Sequence, residues 1–177
     1  EYTNKVKIGG KYMGIIEEFV QHYKKEHDFY EMVSKLVAQQ MESSLHEAGI
    51  RAIVTYRAKN PERLLAKLYQ RNEERDSKYS SLDDIYSDIC DLSGVRVALY
   101  FPKDRDKAGD IIRENFTLLE EPKLFPKEKE TPNYNKRFSG YWARHYRVQL
   151  KDNSLQDTQK RYVNSKTEIQ VASVLMH

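Results

Sequence analysis

Apolar residues recur with helical spacing along the first quarter of the chain. Between residues 14 and 47, aliphatic and aromatic side chains follow one another at intervals of three or four, with charged residues between them. This spacing places the apolar side chains on one face of an α-helix. Gly49 follows, and glycine commonly ends a helix. The pattern predicts one long amphipathic helix or two shorter ones.

Alternation between apolar and polar residues replaces helical spacing further along. Four stretches alternate over a length suited to a strand, at 50–59, 95–101, 141–150 and 166–175. The apolar face of the second strand consists of Val95, Val97, Leu99 and Phe101. We expect the last strand to turn into a helix near Ala172. A further short strand is predicted at 117–120.

Two more helices are predicted between the strands. Residues 60–75 begin with an Asn cap and a Pro at the first helical position, and residues 104–116 also show helical spacing. The polar segment 77–90 is weakly helical, and residues 120–139 are rich in proline and charge, which predicts a partly disordered loop. The order of elements predicts an α+β domain, with a mixed β-sheet flanked by helices.

Composition narrows the class of protein. The chain has 177 residues, of which 39% are hydrophobic and 32% are charged, and its net charge is +3. This balance suits one domain with a heavily charged surface and is compatible with a polyanionic ligand. A single cysteine excludes an intramolecular disulfide and a multi-cysteine zinc site. With no membrane-spanning window or signal peptide, we expect a cytoplasmic protein.

Two acidic residues are candidates for a metal site. Asp91 directly precedes the strand at 95–101, and Glu168 lies inside the last strand on the same face as Gln170. Carboxylates on neighbouring strands can bind Mg²⁺ through their oxygens. The spacing is equally compatible with Asp91 in a turn with Gly94 and with Glu168 as a solvated residue paired to a lysine or arginine.

Basic residues accompany these carboxylates. Arg57 and Lys59 end the first strand, and Arg63 and Lys67 share a face of the following helix. Cations beside a helix N-terminus suit a triphosphate, although a solvated charged face has the same pattern. The segment 137–146, RFSGYWARHY, mixes aromatic rings with Arg144 and His145. This combination suits a pocket for a base and a phosphate, or an edge strand with a buried Trp142.

Four segments together resemble the synthetase domain of the RelA/SpoT family. They are YRAKNPERLLAKL, DICDLSGVRVALYF, GYWARH and TEIQV, in that order. The resemblance covers residues 51–177, so we expect an N-terminal helical extension at 1–49 and a synthetase domain at 50–177. It implies a nucleotidyltransferase-like fold. It also implies a pyrophosphokinase that uses Mg²⁺ and transfers the β,γ-pyrophosphate of ATP to the 3′-hydroxyl of GDP or GTP, giving the alarmone (p)ppGpp.

The resemblance also implies roles for individual residues. The ATP phosphates would contact Arg57, Lys59 and Lys67, with Arg63 on the same helix. Asp91 and Glu168 would be the metal ligands and catalytic residues, with Glu168 as second carboxylate or base. On the acceptor side, Tyr141 would stack on guanine, with Arg137, His145 and Gln170 beside it. Arg96 also matches the family pattern, either as a phosphate contact or in a structural ion pair.

Some positions depart from the family pattern. A serine usual in the ATP-side helix is Arg63, and a Lys and an Asn usual before Gly-Tyr are Arg137 and Ser139. The family continues past Glu-Ile-Gln into a helix, and the chain ends at His177, so we expect that helix to be truncated. Small members of the family often form oligomers through terminal helices, which makes a homo-oligomer an expectation here.

Two other functions compete with the alarmone synthetase. A toxin-like relative would pyrophosphorylate tRNA 3′ ends or adenine nucleotides, and the basic residues within 123–136 would favour tRNA. A catalytically silent module would only bind a nucleotide. The presence of both Asp91 and Glu168 argues against the silent module.

Overall fold

Helices and strands alternate along the computed structural model, which describes residues 6–8, 11–125 and 143–174, with backbone only before residue 14. The helices are α1 (Ile15–Lys25), α2 (His27–Glu47), α3 (Pro61–Glu74), α4 (Leu82–Asp88) and α5 (Arg105–Asn115). The strands are β1 (Val6–Ile8), β2 (Lys11–Met13), β3 (Ala52–Ala58), β4 (Ser93–Leu99), β5 (Phe116–Leu118), β6 (Lys123–Phe125), β7 (Ala143–Leu150) and β8 (Thr167–Ser173). The long N-terminal helical pattern therefore forms two helices.

A mixed sheet forms the centre of the fold. Its strand order is β3-β4-β8-β7-β5, and β6 pairs with the beginning of β7. The central strands β4 and β8 are parallel to each other, whereas the other strand pairs of this sheet are antiparallel. Strands β1 and β2 form a separate antiparallel pair. The predicted α+β class with a mixed sheet flanked by helices is confirmed.

Helices α2 and α5 cover one face of the sheet. Val33 and Met41 of α2 and Ile112 of α5 are fully buried in one apolar cluster with Val97 and Ile169. Each such side chain contributes about 1.5–3 kcal/mol through its removal from water. Because side chains alternate along a strand, residues next in sequence to Val97 and Ile169 face the other side of the sheet.

A second apolar cluster joins α1, α3 and α4 beyond the end of β3. Its buried members include Phe19, Tyr23, Leu64 and Ile85. Helix α3 begins as predicted, with the Asn60 side chain accepting from the Arg63 N–H at 3.0 Å. A capping box of Ser81 and Asp84 begins α4. These caps fix the starts of the two helices that precede Asp91 in the sequence.

Several local predictions were wrong. Phe101 lies beyond β4 with 48% of its surface exposed, because the strand ends at Leu99. Strand β8 remains paired with β4 through Ser173, and helical backbone follows at Val174, so the predicted change from strand to helix is confirmed slightly later than Ala172. The segment predicted as a loop contains β6, and the β1–β2 pair was not predicted. The rest of that loop, at 126–139, and the start of the predicted strand at 141–150 lie outside the described residues.

Candidate active site

Polar side chains from four strands line up on the face of the sheet opposite α2. The strand register places them in two adjacent rows. The first row is Arg57, Gly94, Glu168 and Arg147. The second row is Thr55, Arg96, Gln170 and His145. Neighbouring strands thus bring cations, a carboxylate and an imidazole from distant parts of the sequence together.

Asp91 binds two lysines at the end of this face. Its Oδ2 accepts from Lys59 Nζ at 2.6 Å and from Lys67 Nζ at 2.8 Å. Burial alone would raise the pKa of Asp91, but the hydrogen bonds from the two ammonium groups outweigh it, so the pKa is lowered. Asp91 is therefore ionised at neutral pH. Its Oδ1 is buried and accepts no hydrogen bond from the described residues.

Glu168 lies on β8 and has polar partners of its own. Its Oε1 accepts from Gln170 Nε2 at 2.8 Å and lies 3.3 Å from His145 Nδ1. Burial raises the pKa of Glu168, and the hydrogen bonds from His145 and Gln170 lower it further than burial raises it. The His145 ring packs against Phe125, with 4.5 Å between ring centroids. Glu168 is thus an ionised carboxylate held in a fixed orientation.

A cavity of about 120 Å³ lies between the two carboxylates. Its lining residues are Thr55, Tyr56, Arg57, Lys59, Asp91, Gly94, Val95, Arg96, Glu168 and Gln170. Within the described part of the chain, neither Arg57 nor Arg96 makes an ion pair. Their charges are therefore available to an anionic ligand. For Arg96, the absence of an ion pair among the described residues favours the phosphate contact over the structural ion pair.

Comparison with known proteins identifies the family. Residues 56–177 match the model described as the region found in RelA / SpoT proteins. The chain belongs to this RelA/SpoT family. The match includes every residue of the two polar rows except Thr55 and leaves out α1 and α2. No curated protein sequence matches the chain significantly.

Solved structures share the fold of this RelA/SpoT chain. A GTP pyrophosphokinase family protein from Streptococcus pneumoniae is 19% identical, with a TM-score of 0.57 over 88% of this chain and 71% of that one. Small alarmone synthetase 1 from Bacillus subtilis is 18% identical, with a TM-score of 0.57 over 88% of this chain and 73% of that one. At this level of identity the likeness concerns the fold.

The fold brings most of the predicted site residues of this RelA/SpoT chain together. Those that meet around the cavity or on its carboxylates are Arg57, Lys59, Lys67, Asp91, His145, Glu168 and Gln170. Arg63 is exposed on α3 and does not line the cavity. Arg137 and Tyr141 lie outside the described residues.

Other candidate residues have partners elsewhere. Arg144 pairs with Asp106 at 3.2 Å rather than with the site. Lys123, the first residue of the predicted basic segment, pairs with Glu120 at 2.9 Å, and 126–136 lies outside the described residues. None of the helices in the described part of the chain combines the length and apolar character that crossing a membrane requires.

Arg147 is a member of the polar face that the sequence did not single out. It lies directly opposite Glu168 in the β7–β8 pairing, and its guanidinium binds Glu120 at 2.8 Å. The period-two pattern contained the signal, because Arg147 is two residues after His145 and therefore on the same face of β7. Gly94 also lies opposite Glu168, whereas the sequence pattern indicates only a turn at this glycine.

The donor set around the cavity suits a hard divalent cation. The buried Oδ1 of Asp91, which accepts no hydrogen bond within the described ranges, and the carboxylate of Glu168 offer oxygen ligands. Among the described residues there is no cluster of three or more acidic, His or Cys side chains for an ion. Mg²⁺ commonly uses one or two carboxylates and completes its coordination with water and substrate phosphates. The residues therefore fit Mg²⁺ that is bound together with a nucleotide.

Proposed function

We propose that this chain is an ATP-dependent pyrophosphokinase that makes (p)ppGpp from ATP and GDP or GTP. The observation that supports it best is the convergence of Asp91 and Glu168 on one cavity, beside four cationic side chains. Family membership supports the same reaction class. The names of the two solved structures of this fold, a GTP pyrophosphokinase family protein and a small alarmone synthetase, agree with it.

On the donor side, the cations would hold the ATP phosphates. Arg57 and Arg96 line the cavity and have no ion pair among the described residues. Lys59 and Lys67 hold their ammonium groups next to the cavity through their ion pairs with Asp91. Phosphoryl-type transfer depends chiefly on alignment and on neutralising charge. The guanidinium groups are suited to bidentate contacts with phosphate oxygens. Their role would be to fix the β-phosphorus of ATP in the path of the acceptor.

Asp91 and Glu168 would hold Mg²⁺, which when bound supplies charge neutralisation on the phosphates and lowers the pKa of a hydroxyl nearby. Asp91 is suited to this role because its Oδ1 has no hydrogen-bond partner among the described residues, while its Oδ2 accepts from both lysines. Glu168 is suited because His145 and Gln170 occupy only its Oε1.

On the acceptor side, Glu168 would orient the 3′-hydroxyl and accept its proton. The acceptor oxygen forms a bond to the β-phosphorus of ATP, and the bond from that phosphorus to the α,β-bridging oxygen breaks, releasing AMP. Because the pKa of Glu168 is lowered, the proton passes on to solvent rather than remaining on the carboxylate. We also propose that Tyr141 stacks on guanine and that Arg137 and His145 contact the acceptor.

A product assay tests the reaction and its acceptor. The protein is incubated with Mg²⁺, ATP labelled on the γ-phosphate, and GDP, GTP, ATP or deacylated tRNA in turn. We expect label on GDP and GTP, and a loss of at least about 100-fold in Glu168→Gln and Asp91→Asn. Label on tRNA or on an adenine acceptor instead would assign the activity to the toxin-like class. Absence of transfer to all four acceptors would overturn the enzyme assignment.

A further inference from the structure

A tyrosine of α1 reaches the backbone of the candidate active site from outside the matched region. Tyr23 is fully buried, and its hydroxyl donates to the carbonyl oxygen of Lys59 at 2.6 Å. The same hydroxyl lies 3.4 Å from the carbonyl oxygen of Leu92. Lys59 and Leu92 are separated by more than thirty positions in sequence. Helix α1, whose Tyr23 lies close to both carbonyls, precedes them in the chain.

The two carbonyls belong to the segments that carry the lysine–aspartate pair. Lys59 holds Asp91 through its side chain, and Leu92 directly follows Asp91. The Lys59 N–H also donates to the Leu92 carbonyl at 2.9 Å. The Tyr23 hydroxyl therefore completes a network that joins the end of β3 to the segment leading into β4. Among the described residues, the Tyr23 hydroxyl is the group that donates a hydrogen bond to the Lys59 carbonyl oxygen.

The surroundings of Tyr23 keep its hydroxyl in place. The ring packs against Tyr30 and His27, with centroid distances of 5.2 and 5.7 Å. Burial raises the pKa of Tyr23 well above its usual value, further than the hydrogen bond to Lys59 lowers it. The hydroxyl therefore remains a proton donor at every pH at which the protein would work.

We propose that Tyr23 is a positioning residue for the donor side of the reaction, acting through Lys59 and Asp91. This inference rests on the proposed function and makes α1 part of the working site. Without the hydroxyl, the Lys59 carbonyl would be left in a partly buried position without a partner, and the segment would shift to find one. A displacement of about 1 Å at a phosphate-binding group is enough to cost activity severely.

Tyr23→Phe tests the inference, because it removes the hydroxyl and retains the ring. The matched control is Tyr30→Phe, a buried tyrosine of α2 whose hydroxyl bonds to Tyr86 rather than to the site. We expect Tyr23→Phe to weaken Mg²⁺-dependent ATP binding and to reduce kcat/KM for ATP about ten-fold. We expect Tyr30→Phe to keep wild-type values for both. Calorimetry measures binding, and urea unfolding checks that both variants are folded.

A double-mutant cycle separates positioning from general destabilisation. In a Lys59→Met background, Tyr23→Phe should change ATP affinity much less than in the wild type, because the group it positions is gone. Equal loss of affinity in both backgrounds, or equal losses of activity in Tyr23→Phe and Tyr30→Phe, would overturn the inference. The binding measurements remain decisive for Tyr23 even if the wild type makes no alarmone, so the two proposals fail separately.

Discussion

Gly94 lies directly opposite Glu168 in the parallel pairing of β4 with β8. A Cβ added at Gly94 would have its nearest contact with the Arg57 carbonyl oxygen at 3.8 Å, an ordinary van der Waals distance. The glycine is therefore not required by its own backbone or by packing. It leaves open space on the floor of the cavity between Arg57 and Glu168.

Gly94→Ala should consequently have opposite effects on stability and activity. Replacing glycine in a strand interior lowers the entropy of the unfolded chain, so we expect unfolding to cost about 0.5 kcal/mol more. The added methyl group would occupy space needed by the substrates, and kcat/KM should fall about ten-fold or more. Urea unfolding and the product assay measure the two effects. Wild-type activity in a folded Gly94→Ala would show that substrate does not use this space.

Asp91→Asn should separate nucleotide binding from turnover. In the wild type, Asp91 Oδ2 lies within 2.8 Å of the Nζ atoms of both Lys59 and Lys67. Loss of the carboxylate charge would release both ammonium groups toward the cavity. We expect ATP binding without divalent cations, measured by calorimetry in a chelator, to become a few-fold tighter, because repulsion between Asp91 and the phosphates is gone. Turnover with Mg²⁺ should fall at least about 100-fold. If Asp91→Asn bound ATP more weakly than the wild type in the presence of chelator, the prediction that the released lysines bind the phosphates would be wrong.

The contribution of Asp88 to the stability of the fold should depend on pH. Burial raises its pKa, but hydrogen bonds from the Tyr79 hydroxyl at 2.5 Å and from Arg71 outweigh burial, so the folded pKa is lowered. The stabilisation is therefore complete above the unfolded pKa of about 3.9 and is lost as the pH falls through the folded value. Asp88→Asn should lower the free energy of unfolding by about 1–2 kcal/mol at pH 7. The difference from the wild type should shrink progressively as the pH falls below the unfolded pKa of about 3.9.

A control for Asp88 is available in the same helix. Asp83 lies in the first turn of α4 and makes no hydrogen bond or ion pair among the described side chains. Asp83→Asn should therefore change stability by less than about 0.5 kcal/mol at pH 7. A difference between Asp88→Asn and the wild type that stayed constant from pH 7 to pH 2.5 would show that the charge of Asp88 is not what stabilises the fold.

The sequence allowed the elements to be predicted better than their arrangement. Alternation located β3, β4, β7 and β8, and the Asn60–Pro61 pair located the start of α3. Short strands such as β6 have too few residues for alternation to be visible, and its pairing with β7 comes from tertiary context.

The candidate site shows the same division between local and long-range information. Asp91 and Glu168 stood out locally, because polar residues at the start of or within apolar strands are conspicuous. The contribution of Tyr23 was not predictable, since an amphipathic helix with a buried tyrosine gives no sign of which carbonyl its hydroxyl will reach. Arg147 was missed because its proximity to Glu168 depends on the β7–β8 register.

The packing of α5 against the sheet depends on a glycine, and this gives the last prediction. A Cβ built at Gly109 would lie 2.5 Å from the Tyr146 hydroxyl oxygen, which belongs to a fully buried side chain of β7. Alanine is the better helix former by about 1 kcal/mol, but this clash forces α5 or the tyrosine to move. We expect Gly109→Ala to lower the free energy of unfolding by about 1–3 kcal/mol.

Removing the clashing atom should reverse most of this effect. In a Tyr146→Phe background the nearest ring atom would be Cζ at 3.5 Å from the new Cβ, an ordinary contact. Gly109→Ala should then be nearly neutral or slightly stabilising there, because the preference of alanine for helix is no longer opposed. Chemical unfolding of the four proteins measures the coupling between the two positions. An equal penalty in both backgrounds would mean that α5 tolerates no methyl group at residue 109 for a reason unrelated to the Tyr146 hydroxyl.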